Sequence, residues 1–500
     1  MLTRRLFCCR RPCLVTSSRI LQAAPRPRYS STQSQNRTIT SSAITATACF
    51  AAGATAGWVA FRNGSGDDLA SAAKSASKYA NNQVPDLNRL GTSDDISYAP
   101  PPTSEEVTKQ LNEKAFSVTG ANGVIRYDGT QVASNSPCED AFMHGTFSSP
   151  FGGENWMAWG VFDGHCGWQT SNMLTRELMP FVRRALGEVQ SQSGSGSGGV
   201  SEEAIHKALK KAFTALDDIL VKSAADTIKS SLSFPEKARR LELAYAGACA
   251  LLTLYDPTTR TLRVASTGDC RAVLGQQRPN GSWEATELTT DQTGANPAEI
   301  ARLQAQFPDE PEVVKGGRVW GMQPSRTFGD GMWKWAASLK QELRHHYNGL
   351  SLPSGTRYKD YKEGPYLTAE PAVRTATVDP DRPSFLILAT DGLWDTMSSA
   401  QAVDLVGRWV DRQMLSGGQA PPPPAQQDFG PAVLGWKQQC KYEERKATVQ
   451  DDNAAVHLVR NGLGGAHDEM VRGALTFRYP NARDIRDDIT VQVVFFHPQR

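Results

Sequence analysis

Apolar runs rich in β-favoured residues alternate with amphipathic helical segments from about Ala115 to the end of the chain. The runs YAGACALLTLYD and TLRVASTGD, joined by DPTTR, predict a β-hairpin, because Asp256-Pro257 favours the start of a turn. The next run, CRAVLGQQ, is predicted to extend the same meander. The chain length alone would allow two domains, but we interpret residues 115–500 as one large domain.

Two helices are predicted before this hairpin. The segment GWQTSNMLTRELMPFVRRAL has helical periodicity, and Ser201 is a suitable N-cap for a second helix. The second helix would carry one apolar face made of Ile205, Leu209, Ala212, Leu216 and Ile219.

Three inserts interrupt this pattern. Residues 187–200 are rich in Gly and Ser but lack the GxxxxGK[ST] pattern of a phosphate-binding loop, so we interpret them as a flexible linker. Residues 349–364 are irregular and polar, and residues 417–430 contain the polyproline-like sequence APPPPAQQ. The last two inserts are predicted to be disordered or partner-facing loops.

Three aspartates each lie at one end of a strongly apolar run. Asp163 is in WMAWGVFDGH, Asp391 is in SFLILATDGLWD, and Asp488 is in RDDITVQVVFF. Strand ends are rigid places from which distant side chains can converge on one site. Converging carboxylates repel each other unless cations neutralise them, and Mg²⁺ and Mn²⁺ prefer oxygen ligands. The pattern therefore predicts a site for divalent metal ions.

Several motifs in one order resemble the metal-dependent type 2C protein serine/threonine phosphatases. They are PCEDAF, GVFDGHCG, STGDCRAVL, GGRVWGMQPSRTFGD, TAEPAV, ATDGLWDTM and RDDITVQVV. Within that family, the stretches NSPCED, PYLTAEP and DDNAAVHLVRNGLGG resemble the mitochondrial pyruvate dehydrogenase phosphatases. The resemblance covers the chain from about Ala115 to its end.

The resemblance implies both a fold and an activity. The fold is α+β, a four-layer sandwich of two mainly antiparallel β-sheets flanked by helices on both faces. The activity is hydrolysis of phosphoserine in the E1 subunit of pyruvate dehydrogenase by metal-activated water. One alternative is a phosphatase for other mitochondrial phosphoproteins. Another is an inactive phosphatase fold that serves as a binding module, which the presence of Asp163, Asp391 and Asp488 disfavours.

The resemblance also assigns metal ligands. It implies that Asp163 bridges two Mg²⁺ or Mn²⁺ ions, that the carbonyl of Gly164 binds one ion, and that Asp391 and Asp488 bind the other. Glu139 and Asp140 would contact the ions mostly through bound water, where hydrogen bonds fix the geometry.

A third metal ion and a general acid follow from the same resemblance and from the residue types. Asp269, with or without Asp395, would form a weaker third metal site, while a structural cap is an equally good role for Asp395. His165 is the candidate general acid, because the adjacent carboxylate of Asp163 favours its protonated form. The alternative is that His165 only orients Asp163.

Asn135 departs from the pattern of many family members, which carry a phosphate-binding arginine four residues before the Glu139-Asp140 pair. An amide cannot make a bidentate, charge-assisted contact, so phosphate binding is expected to depend on the metal ions or on another cation. Pyruvate dehydrogenase phosphatases share this asparagine. Arg271 is one candidate replacement, but packing beside the third-metal loop is its favoured role.

Other reactive or aromatic residues are assigned structural roles. Cys166 follows His165 directly, but no base partner is evident, so a small buried neighbour of the site is expected. Core packing is favoured over a docking groove for Trp320, Trp333 and Trp335.

The N-terminal segment has a composition unlike the rest of the chain. The first 62 residues contain nine arginines, no lysine and no acidic residue, which is typical of a mitochondrial presequence. A disordered basic arm is the alternative. The whole chain has a net charge of +2, so the chain without these arginines is mildly acidic. Such a protein binds nucleic acid poorly, and no nucleic-acid partner is expected.

We divide the N-terminal segment into three parts. Residues 1–42 are predicted to be the presequence and residues 62–114 a polar linker. Residues 43–61 are long enough to span a membrane but consist largely of small residues. They either anchor the protein in the inner membrane or form the second half of a long presequence. The catalytic domain is expected in the matrix.

Overall fold

The computed structural model describes residues 100–193, 200–346, 364–416, 428–433 and 440–496. The predicted presequence (1–42), the predicted membrane segment or presequence extension (43–61) and most of the predicted linker lie outside the described residues, as do parts of the three inserts. Within the described ranges, no helix is both long enough and apolar enough to cross a bilayer.

The strands occur throughout the described chain. Their bounds are β1 (Phe116–Thr119), β2 (Val124–Val132), β3 (Ala141–Phe147), β4 (Trp156–His165), β5 (Gly247–Asp256), β6 (Thr261–Thr267), β7 (Arg271–Gln277), β8 (Trp283–Glu287), β9 (Val314–Lys315), β10 (Arg318–Val319), β11 (Phe328–Gly329), β12 (Ala372–Thr377), β13 (Ser384–Ala389) and β14 (Ile489–Phe496).

Helices precede, connect and follow these strands. Their bounds are α1 (Ser104–Asn112), α2 (Gln169–Ser193), α3 (Glu202–Lys229), α4 (Phe234–Tyr245), α5 (Pro297–Gln306), α6 (Ala337–His346), α7 (Asp391–Trp394), α8 (Ser399–Ser416), α9 (Ala454–Leu463) and α10 (Asp468–Thr476).

The longer strands form two antiparallel sheets. The first sheet has the order β1-β2-β14-β13-β7-β8, and the second has the order β12-β6-β5-β4-β3, with β11 paired to β5. Strands β4 and β5 pair over a long register that runs from Met157 opposite Tyr255 to His165 opposite Gly247. This pairing fixes the C-terminal end of β4, where Asp163 lies.

The two sheets pack face to face with helices outside them. Both sheets contribute to one buried cluster, which includes Trp159 and Leu251 from the second sheet and Leu388 and Phe496 from the first. A second cluster joins α2 and α3 to the second sheet, and a third joins α8 and α9 to the first. The α+β, four-layer sandwich is therefore confirmed.

The predicted hairpin is present as β5 and β6, but the predicted continuation of the meander is wrong. Strand β7 belongs to the first sheet, where it pairs with β13 and β8. The chain crosses between the sheets after Gly268, which has φ +103°, and a Cβ on Gly268 would lie 2.3 Å from the sulfur of Cys249. The crossover places Asp269 between the two sheets.

The apolar face predicted for the second helix is correct except at its end. Ser201 accepts a hydrogen bond from the N–H of Ala204 (3.3 Å) at the start of α3. The first four residues of the predicted face are buried, but Ile219 is 59% exposed and Leu220 is buried in its place. A step of four residues follows the 3.6-residue helical period better here than a step of three.

Helix α1 lies within the predicted linker of residues 62–114. Thr103 and Glu106 form a capping box, in which each side chain accepts a hydrogen bond from the other residue's backbone N–H. Val107 and Leu111 are fully buried in the cluster that covers the first sheet. The folded domain therefore begins before the predicted boundary at residue 115.

We predict that Leu111→Ala lowers the free energy of unfolding by about 2–5 kcal/mol, because it leaves a cavity in this core. The measurement is urea denaturation followed by circular dichroism. Lys109→Ala, on the exposed side of the same helix, is the control and should change stability by only about 0.5 kcal/mol. Equal effects of the two substitutions would show that α1 does not belong to the core.

Candidate metal centre

Three aspartates from different parts of the chain meet at one end of the sandwich. Asp163 lies near the end of β4, Asp391 is the first residue of α7, two positions after the end of β13, and Asp269 lies in the crossover between β6 and β7. One carboxylate oxygen of each residue lies within 4.8 Å of the others. The sequence interpretation gave Asp269 to a separate third site, but the structure brings it together with Asp163 and Asp391.

The electrostatics of this cluster favour a bound cation. Burial, followed by the charges of Asp391 and Asp140, raises the pKa of Asp163 well above its usual value. Burial and the charge of Asp269 raise the pKa of Asp391 to about 7. Neighbouring buried carboxylates retain protons in this way unless a positive charge neutralises them. The ligand set consists of oxygen atoms, which suits Mg²⁺ or Mn²⁺.

Asp140 adds an oriented carboxylate. Its Oδ2 accepts hydrogen bonds from the hydroxyls of Thr390 (2.9 Å) and Thr490 (2.7 Å). Its Oδ1 is buried and has no protein partner within the described chain. Burial, followed by the charge of Asp488, raises the pKa of Asp140 well above its usual value. A buried carboxylate oxygen without a donor is suited to bind a metal ion or metal-bound water.

Asp488, directly before β14, has a different environment. Its carboxylate accepts hydrogen bonds from the backbone N–H groups of Asn135 (2.9 Å) and Glu139 (2.9 Å) and from the side-chain amide of Asn135 (2.9 Å). Burial alone would raise the pKa of Asp488, but these hydrogen bonds outweigh burial and hold it below its usual value. The charge of Asp488 acts on Asp140, but Asp488 does not belong to the cluster of three aspartates found among the described residues.

The segment 134–139, here called the acidic loop, packs tightly on the metal centre. Its Asn135 amide also donates to Glu139 Oε2 (3.2 Å). A Cβ on Gly164 would lie 2.1 Å from the carbonyl oxygen of Glu139, and a Cβ on Gly392 would lie 2.0 Å from that of Asp488. Glycine is therefore required at both positions for the backbones to approach each other.

His165 forms an ion pair with a residue to which the sequence interpretation gave no role. Its Nε2 lies 2.7 Å from Oδ2 of Asp330, which is fully buried. Burial alone would lower the pKa of His165, but Asp330 outweighs it and raises the pKa to about 9. A Cβ on Gly247 would collide with both side chains. Asp330 is the last residue of the SRTFGD motif. Its place in that motif was the only feature of the sequence that could have indicated a role at the site.

Other predicted residues lie outside the cluster. Asp395 is exposed, and its N–H donates to the carbonyl of Asp391 (2.7 Å). It does not join Asp269 in a separate group of metal-ligating residues within the described chain. Arg271 makes two hydrogen bonds to Asp291 and lies 5.0 Å from the ring of Trp394, in agreement with a packing role.

The structure contradicts the prediction for Cys166 and confirms the prediction for the three tryptophans. The prediction that Cys166 is buried is wrong, because the residue is exposed and has φ +57°. Trp320, Trp333 and Trp335 are 6%, 8% and 3% exposed, so they pack in the core as favoured.

Comparisons with known proteins are consistent with this geometry. A model of the family "Protein phosphatase 2C" matches residues 129–418. A protein phosphatase 2C homolog of Schizosaccharomyces pombe is 41% identical over 401 residues, which are 79% of this chain and 86% of that protein. The mitochondrial [pyruvate dehydrogenase [acetyl-transferring]]-phosphatase 1 of Saccharomyces cerevisiae is 32% identical over 406 residues, which are 77% of this chain and 71% of that protein.

Among solved structures, a serine-threonine phosphatase 2C from Toxoplasma gondii aligns with 76% of this chain and 99% of its own. The sequence identity is 20% and the TM-score is 0.44.

We predict that Asp163→Asn weakens Mn²⁺ binding by at least about tenfold, because it removes a charge from the centre of the cluster. Isothermal titration calorimetry on the full chain measures the affinity. Asp395→Asn removes the same charge from an exposed position outside the cluster and should have a smaller effect. Unchanged affinity in Asp163→Asn would contradict the assignment of the metal centre.

Proposed function

Because this chain belongs to the protein phosphatase 2C family, we propose that it is a mitochondrial, metal-dependent phosphatase acting on the phosphorylated E1 subunit of pyruvate dehydrogenase. The family match makes the chain a PP2C-type protein phosphatase. The observation that carries the choice of substrate is the 32% identity to a mitochondrial pyruvate dehydrogenase phosphatase over most of both chains. The arginine-rich, acid-free start of the sequence supports the mitochondrial location.

The candidate metal centre fits the needs of phosphate ester hydrolysis. Bound divalent ions supply a nucleophilic water at neutral pH and neutralise charge on the phosphoryl oxygens. In this chain, Asp163, Asp391, the carbonyl of Gly164 and the oxygens of Asp140 and Asp488 would hold them. The free Oδ1 of Asp140 and the raised pKa of Asp163 support this assignment. Asp269 lies close enough to contribute as well.

The surrounding residues hold these ligands in fixed orientations. The hydroxyls of Thr390 and Thr490 donate to one oxygen of Asp140, and the other oxygen has no protein partner among the described residues. Asn135 and the backbone of the acidic loop hold Asp488 as a carboxylate. Fixed ligands reduce the reorganisation needed during the reaction, which is the main way a protein site accelerates phosphoryl transfer.

His165 is the residue that we assign to protonate the leaving seryl oxygen. Its Nε2 is bonded to Asp330, so its Nδ1 is the ring nitrogen available to carry a proton to the substrate. Asp330 stabilises the imidazolium form and fixes the plane of the ring. The ion pair is largely excluded from water, because only 13% of the His165 side chain is exposed and Asp330 is fully buried.

We predict that His165→Ala lowers kcat on a phosphoserine peptide by about 10²–10⁴-fold and on an aryl phosphate by much less, because only the alkoxide leaving group needs a proton. Steady-state kinetics on both substrates with saturating Mn²⁺ measure the difference. Asp330→Asn should also lower kcat more on the phosphoserine peptide than on the aryl phosphate, but both losses should be smaller than those of His165→Ala. Equal losses of His165→Ala on both substrates would contradict the general-acid role.

We expect the wild-type chain to dephosphorylate phosphorylated E1 faster than other mitochondrial phosphoproteins at equal concentration. Release of inorganic phosphate measures the rates, and Asp163→Asn is the inactive control. A chelator should abolish all activity, because the site consists of only a few carboxylates and gives no complete protein cage for the metal. Equal rates on E1 and on unrelated phosphoproteins would contradict the choice of substrate but not the phosphatase activity.

A further inference from the structure

A cavity of about 610 Å³ adjoins the metal centre. Asp140 and Asn135 form part of its wall, and Lys114, Trp168 and Arg478 form other parts. Trp168 is 41% exposed, and Lys114 and Arg478 are both exposed, so the cavity is open to solvent. Its contact with Asp140 places the cavity next to the metal centre.

Two acidic residues, Asp140 beside the metal centre and Glu113 after α1, line this cavity, so a phosphate that enters it meets negative charge. Charges of like sign at contact distance oppose binding, and the opposition grows as water is displaced. Metal ions offset part of this repulsion. A cation on another part of the wall would offset the rest and would also orient the phosphate oxygens.

Most cations near the site have other partners. Arg271 is bonded to Asp291 and Ser399. Arg483 pairs with Asp487. Arg486 is buried and donates to the carbonyl oxygen of Ala133 (2.9 Å). None of the three lines the cavity.

Arg478 lines the cavity and is available to a ligand. Within the described ranges of the chain, its guanidinium forms no ion pair or hydrogen bond with the protein. Its backbone is fixed, since its carbonyl accepts a hydrogen bond from the N–H of Ala482 (2.9 Å). The neighbouring Phe477 carbonyl accepts from Arg486 (3.4 Å). A fixed backbone with a free guanidinium is suited to bidentate binding of a phosphate.

We propose that Arg478 binds the phosphate group of the substrate while it lies in this cavity. Asn135 cannot perform this task, because its amide is committed to Asp488 and Glu139. Lys114 would add a second positive charge but lacks the planar pair of donors. This inference rests on the proposed phosphatase function, although it does not depend on which phosphoprotein is the substrate.

The test compares Arg478→Gln, Arg478→Lys and the wild-type chain, each with saturating Mn²⁺. Arg478→Gln should raise KM for an aryl phosphate and the inhibition constant of inorganic phosphate by about tenfold, with kcat nearly unchanged. Arg478→Lys should show an intermediate effect. Lys222→Gln on α3, whose side chain is 72% exposed, is the matched control for loss of a surface charge.

Calorimetric binding of inorganic phosphate gives a measurement that is independent of turnover. The affinity should fall in Arg478→Gln by the same factor as the inhibition constant rises, and circular dichroism checks that the variant is folded. Unchanged KM and unchanged phosphate affinity would overturn the proposal. A higher KM for a phosphopeptide alone would also overturn it, because Arg478 would then contact the flanking chain. Wild-type activity on aryl phosphate without activity on E1 would contradict only the proposed substrate.

Discussion

Repulsion among buried carboxylates is the constraint on which the rest of this site depends. Asp140 is buried, Asp163 and Asp391 are partly buried near it, and the pKa of each is raised, with loss of solvation as the largest cause. The folded sheets hold the carboxylates at the ends of β4 and β13 despite this cost, because the strands are anchored by the core between the sheets. Bound divalent cations neutralise these carboxylates, so the relief of the repulsion adds to the free energy of metal binding.

The acidic loop solves a second problem, which is how to keep Asp488 charged next to these groups. Hydrogen bonds from Asn135, Glu139 and Ser134 stabilise its carboxylate. The same loop presses its Glu139 carbonyl against Gly164, so it also fixes the end of β4. One short segment therefore contacts both Asp488, directly before β14, and Gly164, near the end of β4. Small shifts in this loop would move ligands from both sheets together.

Sequence patterns predicted the parts of the structure that depend on local periodicity. The strand ends indicated Asp163 and Asp391, and the hairpin β5–β6 and the cap at Ser201 followed from turn and helix chemistry. Local periodicity could not predict that the chain crosses to the other sheet at β7, since the alternating residues of β7 fit either sheet equally well. The position of Asp269 beside Asp163 depends on that crossover. Helix α1 was missed although the sequence TSEE carries a capping-box signal.

The pairing of His165 with Asp330 was beyond sequence reasoning for a different reason. The two residues are 165 positions apart, and Asp330 has φ +28°, a conformation set by its surroundings and not by its own preference. Gly247 on β5 leaves the space in which they meet. The contact thus depends on residues at the end of β4, at the start of β5 and directly after β11. No single sequence motif includes all three positions.

The negative charges of Asp488 and Glu139 explain why a neutral residue, Asn135, is suitable at this position. Its amide lies between Asp488 and Glu139 and donates to both. An arginine with the same side-chain direction would pair with these carboxylates, because a charge-assisted contact is stronger than an amide hydrogen bond. It would then take the place of the amide hydrogen bonds that now hold Asp488 and Glu139. In our proposal the phosphate-binding cation is Arg478, which makes no ion pair with these carboxylates within the described residues and is available to the substrate.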